Sequence, residues 1–461
     1  MVRTRIAPSP TGEDIHIGTL YTAYINWIFA KQSKGSFVVR IEDTDRTRFV
    51  EGAEKKFLET FRRFGIEADE SPEKSGKYGP YRQSERLAIY KKYAQELVDK
   101  GHAYVCTCSP ERLAKLREEQ KEKGMMPRYD GKCREISNIK NQNFVVRLKM
   151  PESGETSFED VARGKITFQN KLIDDQVLLK SDGYPTYHLA VVVDDYLMEI
   201  SHVIRAEEWL SSTPKHILLY KAFGWRLPTF CHLPILRNPD RTKMSKRKNP
   251  VWAFWYLEQG FLTEAILNYL SLMGWSHPQE KEIFSREEFM RVFKLKDLKP
   301  AGPAFDVAKL EWMNGEYIRQ MKNENLKFRI YQYYKKQYPD TIIEQTIPIV
   351  KERIKKLSDY LSLCRFFFTK PKNFEIDLSS YKKLIQKMYD MLLSLDNWKA
   401  DKIGEAMLGL AQKEGMKNSQ FFMVLRVAVS GKRITPPLNE SMEILGKEET
   451  LKRLSIANFN S

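Results

Sequence analysis

Long apolar runs are missing from this 461-residue chain. No stretch of about 18 consecutive apolar residues occurs, which excludes a helix of the kind that crosses a bilayer. Cysteine is scarce. The five present, Cys106, Cys108, Cys133, Cys231 and Cys364, are too few to staple a secreted scaffold of this size. A Walker phosphate loop, a kinase signature, a helix-turn-helix, internal repeats and low-complexity tracts are all absent. The N-terminus enters an apparent strand, RTRIA, at once, with neither a signal-peptide apolar segment nor an Arg/Ser-rich presequence. A cytoplasmic protein with no membrane partner is the expectation.

What the chain has in excess is positive charge: 76 Lys and Arg against 60 Asp and Glu, a net +16. A bland basic surface accounts for part of this. Its size and clustering point to a polyanionic partner, nucleic acid above all. The hydrophobic content of 42% is ordinary, and the length predicts several domains with sizeable cores.

Residues 3–7 read as a buried strand, 17–32 as a helix and 37–41 (FVVRI) as a second strand. That order is a βαβ unit, and open α/β sheets bind ligands beyond the C-terminal ends of such strands. Residues 50–66 and 84–101 read as amphipathic helices. Residues 102–180 differ, with clustered cysteines, a Lys/Glu-rich helix at 110–123 and β-rich segments NFVVRLKM and KITFQN. They read as an insertion between two halves of a nucleotide-binding fold. The β-α pattern resumes at 187–210, a helix follows at 213–223, and beyond about 251 the chain is mostly helical.

Two short segments more than 200 residues apart carry the chemistry. Residues 8–19, PSPTGEDIHIGT, form a Pro/Gly-rich turn into a helix start. A helix N-terminus offers unpaired N–H groups to phosphate. Gly18 lets a nucleotide approach the backbone, and His16 can donate to phosphate oxygens. His16 can equally be a cap or a solvated side chain. Residues 237–249, RNPDRTKMSKRKN, form a cationic loop with Lys243 and Lys246 around Ser245. Met244 is placed to anchor it while the lysines stay free. Alone this loop reads equally as a solvated basic patch. Together, the segments predict an enzyme that grips ATP from two sides.

HIGT and KMSKR resemble the two signatures of class I aminoacyl-tRNA synthetases. RIAPSPTG (5–12), RIEDTDR (40–46), GPYRQSER (79–86), LLKSDGYPTYHLA (178–190), VIRAEEWL (203–210) and WMNGEYI (312–318) narrow the resemblance to bacterial-type glutamyl-tRNA synthetase. It is dense to about residue 320 and thinner beyond. It implies an α/β fold: a Rossmann-like parallel-sheet catalytic domain in two halves (1–101 and 187–235), split by an α+β acceptor-arm-binding insertion with a zinc knuckle (102–186). A KMSKS loop and helical stem-contact domain (236–320) and an all-α anticodon-binding region (321–461) follow. The implied reaction is ATP- and Mg²⁺-dependent activation of L-glutamate and its transfer to tRNA(Glu), by a monomer.

The substrate's chemistry suggests who binds it. Arg5 and Arg205 can each pair a carboxylate through two N–H groups, and Glu42 can hold the ammonium. Arg5 can instead form a structural salt bridge to Glu42 or Asp43. The resemblance carries glutamate contacts onto Arg5, Ala7, Ser9, Glu42, Tyr187 and Arg205. It carries ATP contacts onto His16, Gly18, Thr19, Glu208, Trp209, Lys243, Ser245 and Lys246, with His16, Gly18, Lys243 and Lys246 catalytic. Arg205 matters most, because glutaminyl relatives lack an arginine there. Val191 departs from the asparagine of some relatives and is not counted as a binder.

Cys106, Cys108 and, after a helix, Cys133 suit tetrahedral Zn²⁺, or are three reduced cysteines in an insertion. Relatives of this shape complete the site with a His two residues after the third Cys, here Glu135, or with the Tyr, here Tyr129. Tyr129 is the expected fourth ligand of a structural site. Farther on, residues 317–339 interleave aromatics with cations, a pattern that reads unpaired bases or, equally, lays an aromatic helix face on a core. The resemblance carries tRNA contacts onto Arg46, Trp312, Arg353, Arg426 and Thr435; either late arginine can instead be a solvated helix charge. A glutaminyl synthetase is the nearest alternative, and Arg205 with the strand-poor last third argues against it. A non-catalytic tRNA binder on a decayed scaffold is opposed by the intact His16, Gly18, Lys243 and Lys246.

Overall fold

The computed structural model describes residues 1–135, 144–242, 244 and 250–459. They fall into two compact units, Met1–Trp255 with Leu267–Asp306, and Tyr256–Ile266 with Val307–Ser461.

The first unit opens with β1 (Arg3–Ile6), α1 (Ile17–Gln32) and β2 (Ser36–Val39). β1 and β2 pair in parallel, Arg3 opposite Ser36 through Ile6 opposite Val39. β1 is buried throughout although half of it is arginine, because both guanidiniums meet carboxylates: Arg3 meets the partly buried Glu70 and Arg5 the buried Asp195. α1 buries Leu20, Tyr21, Tyr24, Ile25 and Ile28. Its exit runs close under β1, where any side chain at Gly35 would collide with the Val2 carbonyl.

Two amphipathic helices follow, α2 (Ala53–Arg63) and α3 (Leu87–Asp99). The helix expected from 84 starts at Leu87. A tighter turn precedes it over Gln83–Arg86, because the Gln83 amide and the Arg86 guanidinium both reach inward to the carboxylate of Asp194. Then come β3 (Ala103–Cys106), α4 (Pro110–Glu122), β4 (Val145–Leu148), the hairpin β5 (Glu155–Asp160) and β6 (Gly164–Gln169), and β7 (Val177–Leu179). β3, β4 and β7 form a small antiparallel sheet. Ser109 caps α4 by accepting from the Arg112 N–H at 3.3 Å, and Pro110 opens its first turn.

α5 (Tyr187–Leu197), β8 (His202–Ala206), α6 (Thr213–Phe223) and β9 (Thr229–Leu233) complete the α/β layer. β8 and β9 are parallel, with Arg205 directly opposite His232. The β5–β6 hairpin adds itself beyond β9, giving the order β6-β5-β9-β8. β1 runs beside β8, where the Ser201 N–H donates to the Arg3 carbonyl at 3.0 Å. The ends of β1 and β8 therefore converge, carrying Arg5 and Arg205 to one place.

Within the second unit every element from Val307 to Phe459 is helical. One apolar cluster gathers Leu326, Ile330, Ile343, Ile347 and Tyr360; another gathers Ile385, Met388, Met407, Val424 and Leu454. Most aromatics of 317–339 pack on the first cluster. The Tyr334 hydroxyl donates to the Leu357 and Ser358 carbonyls, while Phe328 stays exposed. Among the described residues no helix is long and apolar enough to cross a membrane.

Candidate active site

Residues 15–17 and 251–253 form an antiparallel bridge: the Ile17 N–H donates to the Val251 carbonyl at 2.7 Å and the Ala253 N–H to the Ile15 carbonyl at 2.8 Å. The bridge fastens residues 251–253 to the mouth of α1. Met244 is buried and lines the same cavity as His16 and Gly18. Lys243, Ser245 and Lys246 lie outside the described residues.

His16 is the N-cap of α1: its Nδ1 accepts from the Gly18 N–H at 2.9 Å. An accepting Nδ1 places the imidazole proton on Nε2, so capping and donation to an anion are compatible. A Cβ at Gly18 would crowd His16 Nδ1 at 3.2 Å, a second reason for glycine here.

A cavity of about 970 Å³ collects most of the sequence-predicted residues of this unit. Arg5, Ala7, Ser9 and Glu42 line it from the β1 and β2 ends, Tyr187, Arg205, Glu208 and Trp209 from the second half, and Thr19 from the start of α1. Val191 also lines it, and the rings of Tyr187 and Trp209 lie 4.2 Å apart.

Beneath the cavity lies a network of buried charges that sequence reasoning missed. Asp195 accepts from Arg5 Nε and Nη2, both at 3.1 Å, and from Arg40 Nη1 at 2.8 Å. Arg5 therefore pairs with Asp195, not with Glu42 or Asp43. Arg40 also donates to Glu42 at 3.1 Å. Asp194, one residue before, accepts from Gln83, Arg86 and Tyr90. Burial pushes the Asp195 carboxyl upward, but Arg5 and Arg40 outweigh it and hold it below the usual range. Glu42 goes the other way: burial raises it despite Arg40. An arriving ammonium would stabilise its charged form. One signal was available, since two adjacent acids in the apolar run VVVDDY must find partners if they are buried.

Arg205 is 5% exposed, and its partners are neutral: His232, His216, Thr213, Tyr187 and the Trp209 carbonyl. Among the described residues no carboxylate forms an ion pair with it. It is a desolvated, oriented cation at a cavity wall.

Away from the cavity, the thiols of Cys106, Cys108 and Cys133 lie within 4.8 Å of one another and could hold a metal ion. The Tyr129 hydroxyl stands 3.4 Å from both Cys106 Sγ and Cys108 Sγ and accepts the Cys133 N–H at 3.0 Å. The Arg147 guanidinium lies 4.0 Å above the Tyr129 ring. Glu135 points elsewhere, pairing with Lys149 at 3.2 Å on the surface.

Arg46 is exposed, its guanidinium over the Phe49 ring. In the second unit Trp312 is 40% exposed. Arg353 is exposed and Arg426 half-buried, and they lie close enough that Arg353, after burial, makes the Arg426 guanidinium less basic. Thr435 is buried, donating to the Pro436 carbonyl.

A parallel β1–β2 and β8–β9 framework, a capped helix mouth bridged to residues 251–253, and a cavity with a carboxylate on one side and an oriented cation on another are the setting of an α/β enzyme. The comparisons agree. Residues 1–312 match the family described as "tRNA synthetases class I (E and Q), catalytic domain", and residues 309–458 match "Anticodon binding domain". A glutamate–tRNA ligase of Acidothermus cellulolyticus is 44% identical over 98% of this chain and 94% of its own length. One from Thermus thermophilus is 43% identical over 99% and 100%. A solved glutamate tRNA ligase from Elizabethkingia meningosepticum, in complex with its amino acid, superposes with a TM-score of 0.87 at 35% identity, covering 99% of each chain. The chain belongs to the class I tRNA synthetases (E and Q) and, within them, to the glutamate–tRNA ligase family.

Proposed function

We propose that this protein attaches L-glutamate to the 3′ end of tRNA(Glu), using ATP to form a glutamyl-adenylate and releasing AMP and diphosphate. The observation that carries the reading is the buried Arg205, hydrogen-bonded but without a carboxylate partner among the described residues, in the same cavity as Glu42 and Arg5. Glutamate supplies the missing anion with its γ-carboxylate, and its ammonium meets Glu42. Glutamine would leave the guanidinium facing a neutral amide. Arg5, Ala7, Ser9 and Tyr187 complete the amino-acid pocket.

ATP would lie against the start of α1, with His16, Gly18 and Thr19 on one side and Lys243, Ser245 and Lys246 on the other, its adenosine towards Glu208 and Trp209. Mg²⁺ bound with ATP would help neutralise the triphosphate. The glutamate α-carboxylate attacks the α-phosphorus and diphosphate leaves. His16 Nε2–H then stabilises charge that grows on phosphate oxygens; the N–H groups of Ile17 and Gly18 at the mouth of α1 are already given to the Val251 carbonyl and to His16 Nδ1.

The residues of the thiol cluster fit zinc. Around a tetrahedral ion with Zn–S of about 2.3 Å, sulfurs stand about 3.8 Å apart, and Cys108 Sγ and Cys133 Sγ are 3.6 Å apart. Cys106, Cys108, Cys133 and Tyr129 would hold it, and it would supply cross-linking for residues 102–186, which meet the tRNA acceptor arm. Arg46 and Trp312 would contact the tRNA, and Arg353, Arg426 and Thr435 would read its anticodon. We place the two halves of the catalytic domain at 1–101 and 187–235, the stem-contact domain at 236–320 and the anticodon region at 321–461, in a cytoplasmic monomer.

Charging of purified tRNA(Glu) and tRNA(Gln) with labelled glutamate, with glutamine as rival, tests the reading. Glutamate on tRNA(Glu) is the expected result. No charging by either amino acid would overturn it.

A further inference from the structure

The way Arg205 is held differs from the way other buried arginines are held. Arg3, Arg5, Arg40, Arg86 and Arg453 each have a carboxylate within 4.0 Å. Arg147 sits instead by the thiol cluster. Arg205 has its five N–H groups directed at five neutral acceptors: Nε to His232 Nε2 (3.1 Å), Nη1 to Tyr187 (3.1 Å) and to His216 Nδ1 (3.2 Å), Nη2 to Thr213 (2.9 Å) and to the Trp209 carbonyl (3.4 Å).

These partners sort into two sides. Tyr187 and Trp209 line the cavity, whereas His216, His232 and Thr213 do not. A guanidinium only donates, so both imidazoles must accept from it, and this fixes their protons. His232 carries its proton on Nδ1 and gives it to Asp160 at 2.6 Å. His216 carries its proton on Nε2 and gives it to His188 Nδ1 at 3.1 Å. Asp160 is further held by the backbone N–H groups of Ala162 and His232, both at 3.0 Å. The result is two hydrogen-bonded pairs, Asp160–His232 and His188–His216, each presenting an imidazole to the buried side of one cation, with the Asp160 carboxylate held one ring away.

We propose that His216 and His232 are specificity-determining positioning residues, which orient Arg205 through hydrogen bonds while withholding a counter-ion. This rests on the reading of Arg205 as the acceptor of the substrate carboxylate. A carboxylate in place of either imidazole would orient the guanidinium equally well, but it would neutralise it, and the pocket would no longer require an anion. A neutral imidazole separates the two tasks. When glutamate enters, its γ-carboxylate displaces the cavity-side bonds to Tyr187 and to the Trp209 carbonyl, while the three rear bonds keep the fork aimed.

The test compares charged and neutral acceptors at one position. His216→Asp is expected to raise KM for glutamate about 30-fold or more, with a smaller fall in kcat and no change in KM for ATP. It should also narrow the glutamate-over-glutamine preference. His216→Asn, which keeps a neutral acceptor, is expected to raise KM only about fivefold. A merely structural role predicts the reverse distinction, with both variants losing thermal stability and neither changing KM selectively. Equal KM changes in the two variants, or a His216→Asp enzyme with wild-type KM, would overturn the proposal. Should His216→Asp not fold, the pair His232→Glu and His232→Gln poses the same question with the same expected contrast. Wild-type enzyme that charges no glutamate at all would refute the underlying reading rather than this inference.

Discussion

Replacing Asp195 with Asn removes one negative charge from between two buried guanidiniums. The Asp195 side chain is 4% exposed, and those of Arg5 and Arg40 are 5% and 0% exposed. Breaking a buried pair by deleting one partner costs about 3–5 kcal/mol, because the remaining charge stays desolvated. Arg40 keeps Glu42, but Arg5 has no other carboxylate ion pair among the described residues. For a unit of this size about 2 °C of melting temperature corresponds to each kcal/mol, so Asp195→Asn should melt about 6–10 °C lower by calorimetry. The control is Glu73→Gln, which breaks the Arg62–Glu73 pair at 2.9 Å on the surface; such pairs contribute about 0–1 kcal/mol. Asp195→Asn should also raise KM for glutamate, since Arg5 loses the group that aims it. If the two variants melt together, the charge network is not what secures the pocket floor.

Four further outcomes are expected. Burial, aided by Arg205, lowers His232 to about 4 and, with Lys215, His188 to about 3, and unfolded imidazoles titrate near 6.5. Between those values the unfolded chain binds more protons than the native one, so denaturant stability should fall as pH drops from about 6.5 towards 4; a flat profile there would contradict the neutral imidazoles. Metal analysis should find about one zinc per chain, and Cys133→Ser should abolish it; metal-free wild-type protein would remove the zinc site. Arg353→Gln should relax discrimination between tRNA(Glu) and tRNA(Gln) with little effect on glutamate-dependent steps, measured by charging each tRNA. Lys246→Ala should slow glutamate activation far more than it weakens glutamate binding, and an unchanged activation rate would sink its catalytic role.

Much of this architecture was legible because its signals are local. The first βαβ unit, the helix at 17–32 and the thiol cluster each follow from periodicity or spacing, and α1 runs over Ile17–Gln32 as read. The residues missed are those whose meaning depends on distant partners. Asp195 looks like one more acid until β1 brings Arg5 to it across 190 positions. His232 is anonymous in FCHLP until parallel pairing sets it opposite Arg205. Asp160, at the end of a hairpin inside the apparent insertion, gives no sequence hint that it braces His232. The aromatic-cation stretch at 317–339 was ambiguous for the opposite reason: stacking surfaces and core faces share a composition, and only packing separates them.

The convergence of β1 and β8 also sets an order of events during synthesis. Arg5 precedes its counter-ion by 190 positions, and all three strands of the small antiparallel sheet, β3, β4 and β7, lie between them. Until Asp195 is made, Arg3 has Glu70, but Arg5 has no carboxylate ion pair among the described residues and cannot be buried at acceptable cost. The apolar residues of that sheet share a core with α5 and α6, which come later in the chain, and the cavity closes only when Asp195, Arg205 and finally the Val251–Ala253 bridge have been made. A chain cut short before that point would hold Arg5 without its counter-ion and no pocket.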